Sequence, residues 1–132
     1  MATPKETVQA LYDAFGRGDA ETALGLLHGS VNWNEAENGP LAGGNPYIGP
    51  QAVGGGIFAP LARDLADFQV TPQEFVTEDG NVVAFGRYTG THRETGHALD
   101  AQFVHRWTVK DGKITAFQQY TDTAQWTRVY GS

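Results

Sequence analysis

The sequence contains no cysteine. Disulfides, thiol nucleophiles and thiolate-held zinc or iron–sulfur centres are excluded with it. Long apolar runs are missing too. Stretches such as Ile57 to Ala62 fall far short of the roughly 20 residues that a membrane helix needs. Positive charge is scarce: 9 Lys and Arg stand against 15 Asp and Glu, a formal net charge of −6. A general binder of nucleic acid or anionic membrane needs a basic face, so neither partner is expected. The opening Met-Ala-Thr-Pro-Lys-Glu lacks the basic start and apolar stretch of a secretory signal. The expectation is a cytoplasmic protein.

What is present suffices for one domain. The 132 residues are 40% hydrophobic and 18% charged, the balance of a globular chain. A single domain spanning 1–132 is expected, burying about two-thirds of the surface of the unfolded chain. Glycine is the unusual figure, with 17 residues, about twice the average share.

Thr3-Pro4-Lys5-Glu6 reads as a helix start, with Thr3 as cap, Pro4 in the first turn and Glu6 completing a capping box. Val8, Leu11, Tyr12 and Phe15 then recur at helical spacing, which marks one apolar face. Asp19 caps a second helix that runs to His28-Gly29. Val31, Trp33 and Glu35 alternate with Asn32 and Asn34, so a short strand is expected from about Ser30. Ala36 to Tyr47 reads as a long irregular loop. A third helix follows Ile48-Gly49-Pro50, weakened by Gly54, Gly55 and Gly56.

From Phe68 onward the pattern is of strands: Phe68 to Thr77, with Pro72 marking an edge or bulge, then Val82 to His92, Ala98 to Val109 and Ile114 to Thr121. Asp111-Gly112 makes a hairpin turn. Helices first and antiparallel strands afterwards define an α+β plan. Long, alternating hairpin strands tend to curl. Wrapped on a helix, they make a cone with a mostly apolar pocket. Gly43, Gly44, Gly49 and Gly54 to Gly56 surround its expected mouth, which points to a mobile lid over Ala36 to Gly56.

Several segments occur in a telling order. They are Val8-Gln9-Ala10-Leu11-Tyr12 with Gly18-Asp19, Tyr47 to Val53, Gly90-Thr91-His92, Ala98 to Trp107, and Asp111-Gly112-Lys113-Ile114 through Tyr120-Thr121-Asp122. Together they resemble the NTF2-like superfamily, and within it the SnoaL-like and ketosteroid-isomerase-related group. The resemblance implies a cone-shaped, cystatin-like α+β fold. Three N-terminal helices would pack on a curled antiparallel sheet around a central pocket. It also implies a homodimer through the outer sheet face. That superfold hosts isomerases, cyclases, dehydratases and non-enzymatic binders, so it does not choose a reaction.

Residue by residue, Glu35 shares a strand face with Trp33 and matches the place of the isomerases' general base. A carboxylate in an apolar pocket has its pKa raised, which suits proton abstraction beside a carbonyl. His105 lies on the apolar face of Ala101, Phe103 and Trp107. With Asp122 it resembles the acid–base pair of SnoaL-like cyclases. The other readings are a rim glutamate, a core histidine and a helix cap. Phe103 stands where the resemblance places the isomerases' oxyanion-hole acid, an Asp kept protonated so that it can donate. Phenylalanine cannot donate, so steroid isomerisation by that route is disfavoured. Tyr12 is the nearest first-helix hydroxyl, and Gln119 is a neutral partner for a ligand carbonyl. Phe15, Trp33, Phe58 and Phe85, with Phe103, Trp107 and Phe117, would hold an apolar ligand body. Arg87 faces the pocket if Phe85 does, and faces outward if Ala84, Gly86 and Tyr88 point in.

His92, His97 and Glu94 flank one turn, which reads as an exposed hairpin tip more readily than as a metal site. No metal and no cofactor are expected. The function expected is cofactor-free proton transfer, of isomerase, cyclase or dehydratase type, on a small hydrophobic carbonyl compound. The alternative is a non-catalytic binder of a small apolar ligand.

Overall fold

The structure, a computed structural model, describes residues 2–131. Helix α1 (Pro4–Gly16) starts on the expected capping box: the Thr3 hydroxyl accepts from the Glu6 amide, and the Glu6 carboxylate accepts from the Thr3 amide. Helix α2 (Ala20–Gly25) is capped by Asp19. Strand β1 (Leu27–Asn34) leads into a loop with one tight helical turn at Ala42–Gly44, then the short strand β2 (Tyr47–Ile48). Helix α3 (Pro50–Val53), a π turn (Gly54–Phe58) and helix α4 (Ala59–Asp64) follow without a break in helical backbone. Strands β3 (Leu65–Glu78), β4 (Asn81–His92), β5 (Ala98–Lys110) and β6 (Lys113–Thr121) come next, and helix α5 (Thr123–Val129) closes the chain.

One curled sheet takes the strands in the order β2-β1-β6-β5-β4-β3. Every neighbouring pair is antiparallel except β1 with β6, which is parallel. The expected antiparallel run holds for β3 to β6, and the parallel seam joins the early strand β1 to it. Everything from β2 to β5 lies between β1 and β6 in sequence, and so long a crossover lets the chain return in the same direction. The other expected boundaries shift modestly: β1 begins at Leu27 and β3 at Leu65. Pro72 sits on the edge strand β3, where the register slips between Pro72 and Glu74, because proline cannot donate to a ladder.

The concave face is built by alternation. Along β5, Leu99, Ala101, Phe103, His105, Trp107 and Val109 are buried, while Asp100, Gln102 and Arg106 are exposed. Helix α1 lays Val8, Leu11, Tyr12 and Ala14 against that face.

Within the segment Ala36 to Gly56, two of the glycines make room for an aromatic ring. The Tyr47 ring lies so close to Gly44 and Gly56 that a Cβ at either would overlap it. Its hydroxyl donates to the Leu41 carbonyl at 2.6 Å. The Asn45 side chain brackets the Glu35 backbone, accepting from its amide at 2.9 Å and donating to its carbonyl at 2.8 Å. Glycine there permits close packing.

Gly86 on β4 makes the same point inside the sheet. A Cβ at that position would collide with the Thr71 carbonyl, the Pro72 backbone and the Phe103 ring. Two of those obstacles are main chain and cannot rotate away. Gly86→Ala should therefore destabilise the fold by about 1–3 kcal/mol, the usual cost of overpacking. Urea unfolding measures it, and an unchanged midpoint would show that the sheet yields there freely.

Candidate active site

A cavity lies between α1, the α3–α4 stretch and the concave face of the sheet. Its empty volume is about 490 Å³, mouth included. The floor and walls are Trp33, Tyr88, Trp107, Phe117 and Trp126, with Leu11, Tyr12, Ile57, Phe58 and Leu61 across from them. Among the lining residues only Phe15, Phe68 and Val70 are not fully buried. The mouth is therefore between the end of α1 and β3, away from the glycine-rich loop.

Besides the tryptophans, the polar side chains lining the cavity are Tyr12, Glu35, Tyr88, His105 and Gln119, and all of them are buried. The His105 ring spans the two tyrosines, with Nδ1 2.7 Å from the Tyr12 hydroxyl and Nε2 2.5 Å from the Tyr88 hydroxyl. Trp107 Nε1 donates to the Tyr12 oxygen at 3.0 Å. Gln119 Nε2 donates to the Tyr88 oxygen at 2.8 Å, and Gln119 Oε1 accepts from the Ala36 amide at 3.0 Å. Glu35 stands just past β1, where its Oε2 accepts from Trp33 Nε1 at 2.8 Å.

Burial sets the charges. Desolvation pushes the Glu35 carboxyl up to about 7, against a smaller opposing effect of the Trp33 hydrogen bond. Desolvation drives His105 down to about 3, so the imidazole is neutral at physiological pH. Both tyrosines are raised, chiefly by burial, and the Glu35 charge adds to the rise at Tyr88. Neither phenol ionises near neutrality.

The structure brings Tyr12, Phe15, Trp33, Glu35, Phe58, His105, Trp107, Phe117 and Gln119 to one cavity. It does not bring the others there. Asp122 is exposed and accepts from the Gln125 amide at 3.2 Å as the cap of α5, so the expected His105–Asp122 pair is not formed. Phe85 points to the outer face, 37% exposed, and Arg87 pairs there with Asp100 at 2.5 Å. Phe103 lies behind the cavity wall, stacked on His105 with ring centroids 3.9 Å apart. Both His105 ring nitrogens are engaged by tyrosine hydroxyls. His92 is buried and does not sit at an exposed tip; its Nδ1 accepts from the Glu94 and Thr95 amides. Among the described residues no three His, Asp or Glu side chains gather to hold a metal, and no helix is long and apolar enough to cross a membrane.

Sequence reading missed Tyr88, Trp126 and Phe68 as lining residues. The signal for Tyr88 was the strand pairing: Ala84 faces His105 and Tyr88 faces Ala101, and directly paired residues share a face. Trp126 adds a buried indole N–H that has no hydrogen-bond partner among the described residues.

A helix-packed cone of this kind, with an aromatic cavity and a few buried polar groups, is an NTF2-like fold. The chain belongs to the SnoaL-like domain family, whose model matches residues 8–117. Among solved structures it is similar to an NTF2-like protein from Burkholderia thailandensis, at 27% identity and a TM-score of 0.93, with each chain covered in full. An NTF2-like protein from Burkholderia pseudomallei gives 26% and 0.89, again over both whole chains. TerC, co-crystallised with polyporic acid, gives 26% and 0.86 over 99% of this chain and 100% of that one. Comparison with the curated proteins finds no match.

The two shifted groups act on stability in opposite senses. Glu35 is raised above its ordinary 4.5, so the stability from keeping it protonated is complete below about 4.5 and is lost as pH rises to about 7. His105 is lowered from 6.5, so its contribution is complete above about 6.5 and is lost as pH falls towards 3. Where the two ranges overlap, the slopes cancel. Glu35→Gln should uncover the His105 slope, with stability rising by up to about 1.4 kcal/mol per pH unit between 4.5 and 6 relative to the parent. Urea unfolding across that range checks it; parallel profiles would refute the opposed pair.

Proposed function

We propose that this protein is a cofactor-free proton-transfer enzyme for a small, mostly apolar carbonyl compound, with Glu35 as the base. The observation that carries the reading is the Glu35 carboxyl itself. It lies in an aromatic cavity and titrates near neutrality. Its Oε1 accepts no hydrogen bond among the described residues, while Oε2 is held by Trp33. A base poised near the working pH balances availability against proton affinity. The aromatic walls suit a ligand of one or two rings, and the co-crystallisation of TerC with polyporic acid supports a small-molecule occupant. Isomerase, cyclase and dehydratase chemistries all begin with this abstraction of a proton next to a carbonyl.

A second reading is a non-catalytic binder. It is favoured by His105 and the tyrosines being engaged with one another, which leaves Glu35 without a second free acid or base. Exchange of a ketone's α-hydrogens separates the two. With 2-tetralone in deuterated buffer, the parent should accelerate exchange at the carbon next to the carbonyl, levelling off above pH about 7 as Glu35 ionises. Glu35→Gln should reduce the acceleration by about 10²–10⁴-fold. Binding of 2-tetralone without acceleration, seen as quenching of cavity tryptophans, would leave the binder reading in place.

The same proposal extends to a homodimer in the cytoplasm. Its support is the outer sheet face, where Val76, Phe85 and Tyr120 are exposed. Equilibrium sedimentation should return twice the 14.3 kDa chain mass, and Tyr120→Glu should return the single mass. A parent that sediments as a single chain would remove the dimer.

A further inference from the structure

The hydrogen-bond network in the cavity has a proton count that leaves one hydroxyl unspent. Two of its donors are fixed by chemistry. An indole nitrogen only donates, so Trp107 makes the Tyr12 oxygen an acceptor. The Ala36 amide only donates, so it fixes Gln119 Oε1 towards the backbone and turns the Gln119 amide nitrogen to Tyr88. The Tyr88 oxygen is therefore an acceptor as well. Each tyrosine keeps its own O–H proton to place.

His105 takes one of those two protons and not both. A neutral imidazole has one N–H and one bare nitrogen. The tyrosine facing the bare nitrogen donates to it. The tyrosine facing the N–H accepts a second time, and its own proton must go elsewhere. The surroundings decide which tyrosine is which. Rings of Phe75, Phe103 and Trp107 pack around Tyr12, and among the described residues its oxygen is hydrogen-bonded only to His105 and Trp107. A buried donor without a partner is unfavourable. Tyr88 lies where the Glu35 charge is felt, and it shares the cavity wall with Gln119 and Glu35.

We propose that His105 is held with its proton on Nε2, and that the Tyr88 hydroxyl is the group that donates to a carbonyl oxygen of the ligand. In this arrangement Tyr12 donates to His105 Nδ1, and His105 Nε2–H donates to the Tyr88 oxygen. Tyr88 O–H is left pointing to the cavity, beside the second N–H of Gln119. His105 is then a positioning residue that touches no ligand. The unspent groups also define the ligand class. They are donors, at Tyr88, Gln119 and Trp126, with one acceptor, the Glu35 Oε1. That set takes a ketone or enone, whose oxygen accepts and whose neighbouring C–H meets the base. A primary amine or a polyol, with two or more donors against the single free acceptor, would leave donors unpaired. When Glu35 removes the C–H proton, the electron pair moves to the carbonyl oxygen, and the Tyr88 hydrogen bond stabilises the resulting enolate without giving up its proton.

The proposal rests on the carbonyl-compound reading above, and two measurements test it separately from catalysis. In the unliganded parent, nitrogen-15 NMR of the His105 ring should show Nε2 protonated and Nδ1 bare. The opposite tautomer, or a doubly protonated ring at pH 7, would overturn the proposal without touching Glu35. The infrared carbonyl stretch of bound 2-tetralone should lie lower than in an apolar solvent. Tyr88→Phe should abolish that lowering and weaken 2-tetralone binding about fivefold to tenfold. A stretch still lowered in the variant, or a parent that does not bind 2-tetralone at all, would sink the assignment of Tyr88. Correct tautomer and stretch with no α-hydrogen exchange would keep Tyr88 as the ligand donor and remove only the base role of Glu35.

Discussion

A buried imidazole with no counter-charge is the constraint on which the rest of the cavity depends. His105 is enclosed by aromatic rings, with Phe103 stacked on one side and Phe117 and Trp107 edge-on to it. Among the described residues no carboxylate contacts it. Desolvation then keeps it neutral, and a neutral ring offers its two nitrogens in different roles. Everything bonded to it inherits that asymmetry. Tyr12 comes from α1 and Tyr88 from β4, so the ring ties the helix to the sheet as well as ordering the protons between them. The outer bonds, from Trp107 and Gln119, leave the two hydroxyls no choice as acceptors.

The same apolar surroundings act on Glu35 with the opposite sign. Removing water disfavours whichever form is charged. It therefore lowers a base such as histidine and raises an acid such as glutamate. Trp33 works against this at Glu35 by donating to one carboxylate oxygen, but desolvation is the larger effect. The outcome is a cavity in which one group alone changes charge near neutrality. Environments that push two titratable groups apart are how acid–base roles are assigned within a shared site. In the proposed reaction this separation leaves Glu35 to move a proton and the network to hold still.

Much of the fold was legible because it rests on periodicity and punctuation. The α1 capping box, the apolar stripe Val8, Leu11, Tyr12 and Phe15, the Asp111-Gly112 hairpin and the alternation along β5 are all local signals. The parallel seam between β1 and β6 is not local, since a strand does not carry the direction of its partner. The cavity shows the same division. Trp33, Glu35, His105, Trp107 and Gln119 follow from strand parity once one residue is known to face inward. Tyr88 and Phe85 do not, because β4 alternates apolar residues on both faces and only its register with β5 decides between them. The resemblance to SnoaL-like cyclases marks Asp122 as a catalytic acid, but α5 begins there and takes the carboxylate as its cap. The glycines of the loop are ambiguous for a related reason. Glycine permits motion, and it equally permits a tyrosine ring to lie against the backbone, as Tyr47 does at Gly44 and Gly56.

Phe103 shows why the loss of an acid need not be the loss of a site. An acid at this position would sit against the His105 ring, where Phe103 now stacks. Ionised, it would pull a second proton onto the imidazole and raise its pKa. Both ring nitrogens would then donate, and the tautomer choice that separates Tyr12 from Tyr88 would vanish. A phenyl ring does the reverse: it excludes water, adds no charge and keeps His105 in its neutral form. Phenylalanine at 103 and a donor role for Tyr88 are thus two parts of one arrangement. The hydrogen bond that an acid would have offered a ligand is supplied instead from β4, two residues along the strand from Gly86, where the backbone has no room for a side chain of its own.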